Sequence, residues 1–120
     1  MGKTAFIFPG QGAQYVGMAR DFYDAFPECR DAVDQAADLL DFNLRGILFD
    51  ENELIHKTEY TQAAMLVAEV CILRGVTLTG KTMDVTAGLS LGEYSALVAC
   101  GAMDYADAVR VVRKRGIYME

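Results

Sequence analysis

Short apolar runs alternate along this chain with longer segments in which apolar residues recur every three or four positions. Two short runs predict buried strands, at residues 5–8 and at residues 85–87; the first ends at Pro9-Gly10 and the second leads into a glycine-rich turn. The periodic segments predict helices at residues 18–26, from Pro27, at 62–74, at 93–100 and from Asp104. Strands separated by helices are typical of an α/β fold with a parallel sheet.

The segment at residues 62–74 predicts a helix that is apolar on almost every side, with Thr61 as its N-cap. Such a helix must be buried on most sides. The preceding segment, residues 41–60, is polar apart from an apolar island at residues 44–49, and we expect irregular structure there.

Two features indicate that the chain is the front portion of a larger α/β protein. The last predicted helix is still running at Glu120, with no capping residue after it. Two strands are also too few to cover a helix that is apolar all round, because buried parallel strands need neighbours on both edges and helices on both faces. We therefore expect further strands beyond residue 120 or in another chain.

Composition narrows the classes of function. The chain has 120 residues, is 52% apolar and carries a net charge of −6, which disfavours nucleic-acid binding because that function needs a basic surface. No run of about 18 or more apolar residues occurs, so no membrane span is expected. Three widely spaced cysteines and one histidine do not have the spacing of metal ligands, and the cysteines are expected to be reduced packing residues in a cytoplasmic protein.

The motif Gly88-Leu89-Ser90-Leu91-Gly92 lies between a predicted strand and a predicted helix. In that context G-x-S-x-G is typical of a nucleophile elbow, a sharp turn that holds the serine side chain clear of the sheet. The flanking glycines lack the Cβ atoms that would clash in so tight a turn. The turn also directs the backbone N–H of Leu91 at charge that develops beside Ser90. We interpret Ser90 as a nucleophile rather than an ordinary serine in a glycine-rich loop.

A second N–H donor for an oxyanion often comes from a loop that follows another strand. The loop Gly10-Gln11-Gly12 fits this requirement, because its glycines let the backbone approach a ligand closely. A plain strand-to-helix turn would explain the same residues equally well.

Arg115 falls in the middle of an apolar face of the last predicted helix, together with Ala108, Val111, Val112, Tyr118 and Met119. A guanidinium there needs an anionic partner, because burying it unpaired is very costly. The partner is either a structural carboxylate, which the pattern alone favours, or a substrate carboxylate, which arginine can bind through two hydrogen bonds. Arg110, Arg113 and Lys114 point the other way and are expected to be solvated.

Three other features match functional patterns only superficially. Residues 75–82 read G-x-x-x-x-G-K-T, but a helix precedes them and a strand follows, which is the reverse of a phosphate-binding loop. Gly10-x-Gly12 begins like a dinucleotide fingerprint, yet Tyr15 occupies the position of the third glycine. His56 lies in a polar, charged segment and is expected to be a solvated loop residue rather than the base that serves Ser90.

Four stretches, in chain order, resemble one family: Phe8-Pro9-Gly10-Gln11-Gly12-Ala13-Gln14, Tyr60-Thr61-Gln62, Gly88-Leu89-Ser90-Leu91-Gly92-Glu93-Tyr94-Ser95-Ala96-Leu97 and Arg115-Gly116. They are similar to the malonyl-CoA:acyl-carrier-protein transacylases. The first and third stretches are very specific. The resemblance runs over essentially the whole chain but covers only the first part of such an enzyme. It implies that residues 1–120 are the N-terminal part of a large, three-layer α/β-hydrolase-like subdomain, without the ferredoxin-like subdomain that the family inserts later.

The resemblance also implies a site and its substrates. Ser90 would accept a malonyl group from coenzyme A and pass it to the phosphopantetheine thiol of acyl carrier protein, as a step of fatty acid synthesis. The backbone N–H groups of Gln11 and Leu91 would form the oxyanion hole, Arg115 would pair with the malonyl carboxylate, and Gln62 would line the same pocket. The expected partners are malonyl-CoA, the carrier protein and the remainder of the same enzyme, without nucleic acid, membrane, metal or any cofactor beyond the thioester substrates.

Two departures from the family pattern matter. Many members carry histidine before the nucleophile, where this chain has Leu89, and we expect altered pocket packing rather than lost activity. The family's catalytic histidine falls after residue 120, so residues 1–120 alone are expected to be inert.

Three alternatives remain open. A serine thioesterase or hydrolase shares the elbow, although its first loop is usually of the HGGG type. An acyltransferase domain of a polyketide or fatty-acid megasynthase is the second, and a start at Met1 close to the first strand favours a free-standing enzyme over it. The third is a non-enzymatic fragment that docks a carrier protein through Arg110, Arg113 and Lys114.

Overall fold

The structure is a computed structural model that describes residues 2–120. Met1, on which the expectation of a free-standing enzyme depends, lies outside the described residues. A short 3₁₀ turn, Leu54–His56, precedes the longest helix. The strands and helices in chain order are β1 (Ala5–Phe8), α1 (Arg20–Ala25), α2 (Pro27–Leu39), α3 (Leu44–Phe49), α4 (Thr58–Leu78), β2 (Val85–Gly88), α5 (Gly92–Ala99) and α6 (Tyr105–Met119).

The two strands form a parallel pair in which Ala5 lies opposite Val85 and Phe8 lies opposite Gly88. This confirms the prediction of an α/β fold with a parallel sheet, and both strands occur where the apolar runs predicted them. The helix α5 packs against both strands. Ile7 and Val85 are 75% and 55% exposed, so the sheet is covered only in part by residues 2–120.

The helix α4 forms the centre of the hydrophobic core and packs against α2, α5 and α6. It is long and apolar enough to cross a membrane by length and composition, but most of it is buried inside the fold. The prediction of a helix buried on most sides is therefore confirmed. The predicted N-cap is wrong, because α4 begins at Thr58 and Thr61 lies within its first turn, where its hydroxyl is within hydrogen-bonding distance of the carbonyls of Ile55 and Lys57.

The apolar island in the segment expected to be irregular is a helix, α3. Leu44, Ile47 and Leu48 are buried against the core, and the side chain of Asn43 caps the helix by accepting a hydrogen bond from the N–H of Gly46. Six residues are too few to show a helical period in the sequence, which is why this helix was missed. The first helix is also shorter than predicted, because Ala19 has a left-handed φ of 66° and α1 starts only after it.

The helix α6 begins as predicted, with Asp104 as its N-cap, but only Ala108 and Val112 of its predicted apolar face are buried. The residues that face the core are Tyr105, Ala108, Val109, Val112 and Gly116. Of the predicted face, Val111, Tyr118 and Met119 are exposed. Gly116 also faces the core, and there α6 approaches α4 so closely that a Cβ atom would lie 3.0 Å from the carbonyl oxygen of Thr58. Hydropathy patterns give glycine no weight, so they could not find this contact.

Arg113 is not the solvated charge that was predicted. Its side chain is 13% exposed, donates to the Asp41 carboxylate over 2.8 Å and to the carbonyl of Glu59, and stacks on the rings of Phe42 and Tyr60. The guanidinium beside Asp41 lowers the pKa of that carboxyl. Arg110 and Lys114 are exposed as predicted.

The cysteines are free thiols, as expected. Cys29 and Cys71 are buried in the core, and burial raises the pKa of the Cys71 thiol to about 12. Cys100 is exposed, so the packing role predicted for all three holds only for two of them.

Candidate active site

Ser90 lies in the turn between β2 and α5, with an exposed side chain and a φ of 53°. This left-handed conformation is strained for a residue with a side chain and is often found at functional sites. The flanking glycines are required by close backbone contacts: a Cβ atom at Gly88 would overlap the backbone of Gly92, and one at Gly92 would overlap the carbonyl of Phe8. The strand, turn and helix that the motif predicted are all present.

The loop that follows β1 runs alongside this turn. The backbone N–H of Leu89 donates to the carbonyl of Phe8 over 3.1 Å. A Cβ atom at Gly10 would lie 2.6 Å from the carbonyl oxygen of Leu89 and 3.8 Å from the Cβ of Ser90. Within residues 2–120, no hydrogen bond is made by the backbone N–H of Gln11 or of Leu91. Leu91 follows Ser90 directly, Gln11 follows Gly10, and neither of these two predicted oxyanion donors has a protein acceptor within residues 2–120.

Arg115 connects Ser90 to Gln62. Its Nη2 donates to the Oγ of Ser90 over 3.1 Å, and its Nη1 donates to the Oε1 of Gln62 over 2.7 Å. Gln62 is 1% exposed, and its Nε2 lies 3.2 Å from the sulfur of Met119. The guanidinium also lies 5.6 Å from the centre of the Tyr94 ring. Three residues predicted for one site are thus joined by hydrogen bonds.

Arg115 lies at a shallow depression of about 420 Å³ between α5 and α6. The depression is lined by Tyr94, Val111, Lys114, Arg115, Tyr118 and Met119. None of the ion pairs among residues 2–120 involves Arg115. Of the two partners considered for this arginine, a structural carboxylate is therefore not found in the described part of the chain. A mostly apolar depression lined by Lys114 and by a guanidinium that two hydrogen bonds hold in place is suited to a small ligand that carries a carboxylate.

His56 does not reach the serine. It is exposed, and its Nδ1 lies 3.2 Å from the Nε2 of Gln14, whereas the hydroxyl of Ser90 is bonded to Arg115. The pattern at residues 75–82 begins inside α4 and leads into β2, which confirms that its context is the reverse of a phosphate-binding loop. Within residues 2–120, no three His, Cys, Asp or Glu side chains are close enough together to hold a metal ion.

Comparison with known proteins identifies the family. A family model described as acyl transferase domain matches residues 5–120. The chain belongs to this family. It is 43% identical over 120 residues to the malonyl CoA-acyl carrier protein transacylase of Bacillus subtilis (strain 168) and 46% identical to that of Staphylococcus aureus (strain MRSA252). Each alignment covers 99% of this chain and 38% of the relative, so the chain spans about two fifths of the length of these curated relatives.

Solved structures of acyl transferases agree with this assignment. The structure of MCAT from Streptococcus pneumoniae matches with a TM-score of 0.95 and 52% identity, covering 98% of this chain and 39% of that one. A type II PKS acyl-carrier protein in complex with its malonyl-transacylase matches with a TM-score of 0.91 and 41% identity over 98% of this chain and 39% of that one. The fold class predicted from the sequence is therefore that of the family.

One buried polar pair in this chain was not predicted from the sequence. Glu69 on α4 is 9% exposed and accepts a hydrogen bond from the hydroxyl of Ser95 on α5 over 2.6 Å, while its other oxygen has no partner within residues 2–120. Burial raises the pKa of Glu69 to about 7, against the opposing effect of the Ser95 hydrogen bond. The signal was available, because Glu69 is the one charged residue between Gln62 and Leu73 in an otherwise apolar helix.

Proposed function

We propose that the protein containing this chain transfers a malonyl group from coenzyme A to the phosphopantetheine thiol of an acyl carrier protein, through an ester on Ser90. The observation that carries this proposal is the pair of hydrogen bonds from Arg115 to Ser90 and to Gln62. A nucleophile and a fixed guanidinium in one site suit an acyl group that bears its own carboxylate. The identity of 43–46% to transacylases of that name supports the same substrate.

In the first half of the reaction the Oγ of Ser90 attacks the thioester carbonyl. The backbone N–H groups of Leu91 and Gln11 donate to the oxygen that becomes negative, and the carbon–sulfur bond then breaks to release coenzyme A. In the second half the phosphopantetheine thiol loses its proton and its sulfur attacks the ester carbonyl; the bond to the Oγ of Ser90 then breaks, the malonyl thioester forms and the proton returns to Oγ. The histidine that the family carries after the segment matched here takes the proton of Ser90 and gives it to the departing thiolate of coenzyme A. Within residues 2–120, the side chain that contacts this hydroxyl is Arg115.

Arg115 supplies the selectivity for malonyl. Its planar guanidinium can bind the free carboxylate through two hydrogen bonds, and that carboxylate would replace the present contact with the Ser90 hydroxyl. Gln62 keeps the guanidinium in place from the buried side, and the ring of Tyr94 supports it from α5. Glu69 and Ser95 take no part in this scheme.

Several broader features belong to the same proposal. Residues 1–120 form the N-terminal part of a large α/β subdomain, and the transferase works in the cytoplasm on the thioesters of fatty acid synthesis. It needs no metal or other cofactor. Its partners are malonyl-CoA, acyl carrier protein and the rest of the same enzyme. The coverage of 38% of the curated relatives and the complex of a malonyl-transacylase with its carrier protein support this arrangement.

The test uses the intact protein, meaning the whole polypeptide in which residues 1–120 occur. Incubation with malonyl-CoA, followed by acid quenching and peptide mass spectrometry, should find malonyl on Ser90. Residues 1–120 contain two serines, Ser90 and the buried Ser95, so the modified peptide is easily assigned. Ser90→Ala should abolish both the ester and transfer to carrier protein. Persistent malonylation of that variant, or hydrolysis that outpaces transfer to a thiol, would refute the proposal and favour a hydrolase.

A further inference from the structure

The loop at residues 10–14 is tied to the start of α4 by two side-chain amides. The Nε2 of Gln11 donates to the Oγ1 of Thr58 over 2.9 Å. The side chain of Gln14 makes two contacts. Its Nε2 lies 3.2 Å from the Nδ1 of His56, and the Oε1 of Gln14 accepts a hydrogen bond from the N–H of Gly12 over 2.8 Å. Gly12 has a φ of 116°, a backbone conformation that glycine adopts readily because it has no Cβ atom. The position of this loop therefore depends on contacts with residues 56–58.

Thr58 occupies a particular place in the fold. It is the first residue of α4 and lies one helical turn before Gln62, so both side chains are on the same face of the helix. Gln62 holds Arg115, and the carbonyl of Thr58 packs against Gly116, the neighbour of Arg115. Thr58 and Gln62, on the first two turns of α4, thus contact the loop that carries one proposed oxyanion donor and the residue proposed to bind the carboxylate.

We propose that Thr58 is a positioning residue for acyl transfer, because its hydroxyl holds the Gln11 side chain and thereby fixes the Gln11 backbone N–H beside Ser90. This inference rests on the proposed function, in which that N–H donates to the oxyanion. Thr58 acts through Gln11 and is not itself a catalytic residue. The second tie, from Gln14 to His56, restrains the far end of the same loop.

The expected effect is on the rate of the chemical step. An oxyanion donor acts on charge that develops in the transition state, so a displaced donor slows the reaction without weakening substrate binding. Because removal of such a donor costs about a hundredfold or more, we expect a loosened loop to cost about tenfold. The loss should be equal for malonyl and acetyl thioesters, since both form the same oxyanion.

The experiment measures single-turnover acylation of Ser90 in the intact protein with malonyl-CoA and with acetyl-CoA. Thr58→Val keeps the shape of the side chain but removes the hydroxyl, and should lower the maximal rate about tenfold for both thioesters with unchanged half-saturating concentrations. Thr58→Ser should restore most of the rate. Thr77→Val is the matched control, because the hydroxyl of Thr77 is exposed on the same helix and donates to the carbonyl of Leu73.

A variant of Gln11, the other partner in this hydrogen bond, tests the inference even if Thr58→Val does not fold. Gln11→Met keeps the backbone N–H but removes the amide, so it should slow acylation as Thr58→Val does, and the double variant should be no slower than either single one. If Thr58→Val were acylated as fast as Thr77→Val, or if its rate fell with malonyl-CoA alone, the inference would be overturned while the proposed function stood. If the unmodified protein formed no ester on Ser90, the proposed function itself would fail, and the inference with it.

Discussion

Arg115 donates a hydrogen bond to the hydroxyl of Ser90 over 3.1 Å, although 25 positions separate the two residues in the chain. The same guanidinium donates to the buried Gln62. The guanidinium of Arg115, to which an anion would bind, therefore lies in contact with the proposed nucleophile. A ligand that pairs with Arg115 must hold its other atoms close to Ser90, which suits a short acyl group with a carboxylate near its thioester carbonyl.

Replacement of Arg115 should separate the two thioester substrates. We expect Arg115→Ala to reduce kcat/KM for malonyl-CoA by an amount equivalent to on the order of 2–5 kcal/mol, because a partly desolvated charge pair is lost. Acetyl-CoA has no carboxylate and should be affected far less. The measurement is the rate of acyl transfer with each thioester. Lys81→Ala is the control: it removes an exposed cation from the misleading phosphate-loop pattern and should change neither rate. Equal losses for both substrates in Arg115→Ala would mean that this arginine is structural.

The turn that holds Ser90 should not tolerate a methyl group at Gly92. A Cβ atom there would overlap the carbonyl of Phe8, which belongs to the neighbouring strand and cannot rotate away. We expect Gly92→Ala to lower the free energy of unfolding by about 3 kcal/mol or more, as severe overpacking does. Urea unfolding measures the change. Gly2→Ala adds the same methyl group in open space and should leave the stability unchanged; a similar result for Gly92→Ala would contradict the geometry of the elbow.

The sequence predicted this site better than it predicted the surface around it. Ser90 could be found because two glycines and a strand–helix context define the turn through local chemistry alone. Arg115 stood out as a charge among apolar residues. Its hydrogen bond to Gln62 could not be derived, because that contact depends on how α6 packs on α4 through Gly116. Periodicity detects the hydrophobic residues of a helix but not the glycine that sets its closest approach to a neighbour.

Arg113 illustrates the same limit. By position it looks like the exposed Arg110 and Lys114, and only the fold brings Asp41, Phe42 and Tyr60 around it. The helical period of the charged residues predicts a solvated side chain. Contacts with residues from a distant segment of the chain cannot be predicted from that local pattern. Of the three residues considered for docking a carrier protein, Arg110 and Lys114 are the two that are exposed.

Removal of Arg113 should affect stability. We expect Arg113→Ala to lower the free energy of unfolding by about 2 kcal/mol, since it removes a charged hydrogen bond to the carbonyl of Glu59 and cation–π contacts with two rings. Arg110→Ala is the matched control, because Arg110 pairs with Asp107 at the surface, where such pairs contribute little. Thermal or urea unfolding of both variants in the intact protein measures the difference. Equal stability of the two would mean that Arg113 is as solvated as its sequence position suggests.

The buried carboxyl of Glu69 should make the stability of the protein depend on pH. Its pKa is raised from 4.5 to about 7 in the fold, so between these values the folded state holds a proton that the unfolded state has released. The contribution of Glu69 to the free energy of unfolding is therefore fully present below about pH 4.5 and falls as the pH rises to about 7. The difference corresponds to on the order of 3 kcal/mol.

Glu69→Gln should remove that dependence. Glutamine keeps an oxygen to accept the hydrogen bond from Ser95 and is neutral at every pH, so nothing is released between pH 5 and pH 8. We expect the variant to be more stable than the unmodified protein at pH 8 and the two to be closer at pH 5, as measured by urea unfolding at both values. Glu51→Gln removes an exposed carboxylate and serves as the control. Parallel pH profiles for the unmodified protein and Glu69→Gln would show that Glu69 is ionised in the fold, and that an unseen partner satisfies its second oxygen.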